Sequence, residues 1–133
     1  MDSIRIDAEL AEPGALRPLR DLLLLMPHLR CGLEFNIDYE SADPALLHQI
    51  ATNADITMRT INRGSAAIGR LLALVSPEIG SGEFSADSMA SIGWLLAELG
   101  DLAGTTHCLA AACQRYTADY APIAPKHVPN ARP

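Results

Sequence analysis

The 133-residue sequence predicts an α+β fold, predominantly α: a long antiparallel helical hairpin (about 44–76 and 85–120) with a short helix and two N-terminal strands at one side. Three observations predict it. Apolar or small residues recur at alternating spacings of three and four from Leu46 to Val75. The spacing resumes after Ser85, and Gly80-Ser81-Gly82-Glu83-Phe84 between the two stretches is turn chemistry. Residues 3–10 and 33–40 alternate with period two, as half-buried strands do.

In chain order, Ile4, Ile6, Ala8 and Leu10 fall on one side of the first alternating stretch, with Arg5, Asp7 and Glu9 on the other; Glu12-Pro13-Gly14 ends it. A short helix is expected over 15–26. Pro18 fits its first turn, where N–H groups lack intrahelical partners, and Pro27 stops it. Leu16, Leu19, Leu22, Leu23 and Met26 make its stripe, and Leu24 and Leu25 widen the apolar surface, so the helix is expected to be covered on two sides. In the second strand Leu33, Phe35, Ile37 and Tyr39 share the inner face, opposite a wet acidic face. The two strands can pair parallel through a right-handed crossover or antiparallel.

Asp43-Pro44 is a helix start, Asp as N-cap and Pro at the first position. Pro77 is expected to end that helix near Val75 or Ser76. Gly64 and Gly69 lie inside it, each costing up to about 1 kcal/mol against alanine, which makes a break near Gly64 the open point of this element. Ser85 caps the last helix, with Asp87 in its first turn.

On a helical wheel 85–120 has three faces. The large apolar face holds Ile92, Leu95, Leu96, Leu99, Leu102, Thr106, Leu109, Cys113, Tyr116 and Tyr120. A second line is almost all small: Ala86, Ala90, Gly93, Ala97, Gly100, Gly104 and Ala111. It implies close approach, either by another helix of the same chain or by a second copy or partner. The third face is polar, with Glu98 and Asp101, and the single tryptophan, Trp94, sits among them. Trp94 either folds back onto the N-terminal strands or serves as an interface anchor. Arg59, Arg63 and Arg70 line the outer side of the other helix; they are either a solvated face paired with Glu98 and Asp101 across the hairpin or a contact for phosphate or an acidic partner.

Composition narrows the function. Aromatic residues make up 5% of the chain, so the core is aliphatic. The run at 22–26 falls far short of the roughly 20 residues of a membrane span, and the first residues lack the pattern of a secretory signal, so a cytoplasmic location is expected. The net charge of −6 opposes unspecific nucleic-acid binding, which needs a basic footprint. Lys126 and Arg132 in the proline-rich tail (122–133) leave −8 on residues 1–121, which are read as one domain. Three cysteines, Cys31, Cys108 and Cys113, with no Cys-x-x-Cys unit give no disulfide framework or zinc site. His107 and Cys108 diverge on the wheel, and no carboxylate pair or phosphate-binding loop stands out. No cofactor, no metal and no enzymatic activity are expected. The sequence predicts a protein-binding module, homodimeric because the hairpin has more apolar surface than one short helix and two strands can cover. The alternative is a helical effector-binding domain with a pocket between hairpin and strand layer.

Arg63-Gly-Ser-Ala-Ala-Ile-Gly-Arg-Leu-Leu-Ala and Ser88-Met-Ala-Ser-Ile-Gly-Trp-Leu-Leu-Ala-Glu-Leu resemble the small helical accessory proteins of proteobacterial phages, prophages and plasmids. The resemblance covers the hairpin, about half the chain. It implies an interaction protein that inhibits or regulates host machinery, anti-CRISPR proteins being one such class, and it carries over no site residues.

Overall fold

A computed structural model describes residues 17–121. Its architecture is helical: α1 (Pro18–Leu25), α2 (Pro44–Ile79) and α3 (Ala86–Tyr116), with single 3₁₀ turns at Met26–His28 and Leu33–Phe35. The described residues contain no strand, only an isolated antiparallel bridge between Cys31 and Ile37. The α+β expectation is therefore corrected to a helical fold. The first expected strand, 3–10, and the tail, 122–133, lie outside the described residues.

The second expected strand fails for a local reason. The Gly32 N–H donates to the Asn36 carbonyl (2.6 Å) and the Asp38 N–H to that of Arg30 (2.9 Å), so the chain reverses where it was expected to extend. Glu34 (φ 67°) and Phe35 (φ 61°) make the reversal in the left-handed region, which costs a non-glycine residue about 1 kcal/mol or more. Leu33 and Phe35 are each 94% exposed at the tip. Only Ile37 and Tyr39 of that apolar quartet pack against the buried cluster.

Helix α1 begins with Pro18 and buries Leu22 alone. Leu23 and Leu24 are exposed because the helix lies against α2 on one side only, a correction to the two-sided cover expected. In α2 the Asp43 carboxylate accepts the Ala45 N–H (3.0 Å), and the helix runs unbroken through Gly64 and Gly69 for 36 residues. It also passes Pro77, where the sequence predicted its end. A proline there removes the N–H that would reach the Ala73 carbonyl, and the Ser76 hydroxyl donates to that carbonyl instead (3.0 Å). In α3 the Ser85 hydroxyl accepts the Ser88 N–H (3.1 Å). That helix stops at Tyr116, short of the expected 120, as the Thr117 hydroxyl turns back to the Cys113 carbonyl (2.9 Å).

α2 and α3 form the antiparallel hairpin, and its core is confined to the open end. Leu22, Leu29, Leu47, Ile50, Ala51, Ala54, Ala110 and Cys113 make one buried cluster there. Burying Leu47 and Ile50 supplies about 1.5–3 kcal/mol apiece. Thr57, Ala103 and Thr106 extend the buried region by one turn. From Met58 to Leu102 no described residue is buried. None of the described helices is long and apolar enough to cross a membrane.

Candidate functional site

Among the described residues, the half of the hairpin nearest its turn has one seam and two uncovered faces. Ile61, Ser65, Ile68, Leu72 and Val75 of α2 meet Met89, Ile92, Leu96 and Leu99 of α3, and each of these residues is only partly covered. The register follows from a small apolar cleft shared by Leu72, Val75, Met89 and Ile92. Carried along the hairpin, it sets Ala54 level with Ala110 and Ala51 level with Cys113, all within the buried cluster.

In an antiparallel pair, the residues one position after each seam residue turn to the same side of the hairpin on both helices. On α2 these are Asn62, Ala66, Gly69, Ala73 and Ser76; on α3 they are Ala90, Gly93, Ala97, Gly100 and Gly104. All ten are exposed. Among the described residues, a Cβ added at Gly69, Gly93, Gly100 or Gly104 would meet nothing within 4 Å. The small line of α3 is thus not a bed for another helix of the described chain, one of the two readings the sequence allowed. It is half of a wider small-residue face. Sequence reasoning missed the α2 half because Gly69 was counted only as a helix-weakening residue. The signal was present in the repeated position after the seam.

α1 lies on the opposite side. It shares clefts with Gln49 and Asn53, and with Thr57 and Thr60, residues that precede seam positions. Along that side, beyond α1, Leu71 (63%) and Leu74 (77%) are exposed, as is Leu95 on α3. Trp94 is 73% exposed, so it does not fold back onto any described residue as a satellite of the core. Trp94 and Asp101 point outward from α3, directly away from the seam, and Arg63 and Arg70 do so from α2; Glu98 lies toward the α1 side. The expected pairing of arginines with Glu98 and Asp101 across the hairpin is not formed among the described residues. Arg59 instead pairs with Asp55 of its own helix (3.0 Å).

The remaining chemistry is sparse. Tyr39 stacks on Tyr116 at the open end (5.4 Å, 14° between planes), and His48 tilts against Tyr120 (5.7 Å). Burial pushes the Cys113 thiol up to about 11 and also raises Tyr39. Asp38 is held below the usual carboxylate range by the Ser41 hydroxyl and backbone. His107 and Cys108 are exposed, and no group of three or more His, Cys, Asp or Glu among the described residues could hold a metal ion. The clefts are open and modest: about 240 Å³ between α1 and α2, and about 330 Å³ around Arg115, Tyr116 and Asp119. With no sheet among the described residues, the pocket expected between hairpin and strand layer has no second wall there. Comparison with protein-family models, curated proteins and solved structures found no match for this chain.

Proposed function

We propose that the protein is a non-enzymatic protein–protein interaction module whose working surface is the half of the hairpin nearest its turn. One observation carries the reading: from Met58 to Leu102 two long helices bury no described residue, while leucines and the only tryptophan stand exposed. A two-helix seam with partial cover gains little apolar burial against the backbone entropy of ordering it. Exposed leucine and tryptophan side chains along a long hairpin support a contact surface. The resemblance to accessory proteins of mobile elements gives the reading its biological form, an inhibitor or regulator that acts by occupying host machinery.

Trp94 is the only tryptophan of the chain, so 5-fluorotryptophan incorporated in the purified protein gives a single 19F signal that unlabelled lysate proteins do not obscure. The solvent isotope shift of that signal between H2O and D2O is expected to fall when a partner covers the surface, either with rising protein concentration or on addition of bacterial lysate. A shift that stays unchanged under both conditions refutes the module reading.

A further inference from the structure

We infer that the occupant of the small-residue face is a second copy of this chain, stacked face to face about a two-fold axis parallel to the helices. This inference rests on the proposed interaction module and names the partner of one of its faces, the small-residue one; Leu71, Leu74 and Leu95 lie on the other. Face-to-face stacking allows two arrangements. With the axis across the helices, α2 lies on the partner's α2, and the outward arginines of the two copies share a flank. With the axis along the helices, α2 lies on the partner's α3, and both turns sit at the same end.

Charge decides between them. The hairpin register places Arg63 level with Asp101 and Arg70 level with Trp94, about two helix diameters apart within one chain. An axis along the helices keeps those levels while exchanging the helices. Arg63 then flanks Asp101 of the partner subunit, and Arg70 flanks the partner's Trp94. These positions correspond to the flanking ones that set partner choice in coiled coils, and an arginine over an indole face adds a cation–π contact. The symmetry makes each contact twice. The axis across the helices gathers arginines against arginines instead, which like-charge repulsion opposes.

Shape agrees. Glycine and alanine from both helices let the backbones approach closely, and Ala66 comes opposite the partner's Ala97. Each copy keeps its α1 on the outside of the resulting four-helix bundle.

Cross-linking tests the arrangement. In a Cys31→Ser, Cys108→Ser background, Ala66→Cys and Ala97→Cys are purified separately with tags of different mass, mixed and mildly oxidised. The expected product is a mixed-tag covalent dimer, with little product from either variant alone. A self-linked Ala66→Cys dimer, or no link at all, overturns the inference. Light scattering supplies a second readout. Asp101→Arg is expected to weaken the dimer about tenfold, and adding Arg63→Asp to the same chain to restore it. Gly100→Leu, at a position where an added Cβ meets no described residue within 4 Å, should abolish the dimer with helix content kept. A monomer at all accessible concentrations, or an Asp101→Arg loss that Arg63→Asp does not repair, sinks the inference. If Trp94 is protected by lysate but not by concentration, the module reading stands and the second copy is excluded.

Discussion

The two halves of one hairpin obey the same sequence rule and reach different states. At the open end the seam residues are buried because a third element, α1 with the turn that follows it, closes over them. Toward the turn the seam repeats at the same spacing, yet Ile68, Leu72, Ile92 and Leu96 stay partly exposed. Periodicity specifies which face of a helix turns inward. It does not supply the third body that makes the inside dry. Stability of the described chain is therefore concentrated at one end, and the other end has surface left to bind with.

The sharpest way to break this contrast is to remove equal side chains from each half. Leu47→Ala, at a residue 1% exposed, should cost about 2–5 kcal/mol, the range for emptying a packed leucine site. Leu72→Ala, at a partly covered site, should cost less than half as much in the monomer. Urea unfolding at a concentration low enough to keep the protein monomeric measures both. Equal losses would mean that the turn half is as well packed as the open end.

A second expectation concerns pH and belongs to the open end alone. Cys113 is fully buried, and its thiol titrates near 11 in the folded chain against an ordinary 9.0. The folded state therefore holds that proton more tightly than the unfolded state. Stability from this group is full below pH 9 and is lost as pH rises toward 11, by an amount on the order of 2 kcal/mol. Tyr39, raised by burial and by its neighbours Cys113 and Tyr116, acts in the same direction. Cys113→Ala should flatten most of the alkaline slope measured by urea unfolding between pH 8 and 11, at the expense of a small cavity. An unchanged slope would place its origin elsewhere.

The contrast also explains what was legible in the sequence. Asp43-Pro44 and Ser85 marked both hairpin starts, because a cap needs only its own side chain and the N–H groups just beyond it. Pro77 predicts a stop because proline removes an N–H, yet α2 continues to Ile79 with the Ser76 hydroxyl serving the abandoned carbonyl. The strand at 33–40 was misread because period-two alternation does not reveal a reversal at Glu34-Phe35, where residues with little left-handed propensity adopt it. Of the candidate site residues, Gly93, Ala97, Gly100 and Gly104 were found on the α3 wheel. Their companions Ala66, Gly69 and Ala73 emerge only when both wheels are set antiparallel. Trp94, Asp101, Arg63 and Arg70 could be assigned to outer positions, but their levels depend on the hairpin register, which no single helix contains.

The boundary between the halves gives the smallest effect and the finest test. Among the described residues Thr57 is the last buried one of α2, and its hydroxyl is the one buried side-chain group without a hydrogen-bond partner. Thr106 on α3, equally buried, donates to the Ala103 carbonyl (3.0 Å). An unpaired buried hydroxyl costs about 1–3 kcal/mol of desolvation, and valine has the same shape without the oxygen. Thr57→Val should therefore stabilise the chain by about 1 kcal/mol in urea unfolding, whereas Thr106→Val, which gives up a made bond, should bring little or no gain. A loss on Thr57→Val would show that the hydroxyl is satisfied, and the dry core would then end before Thr57, one turn closer to the open end.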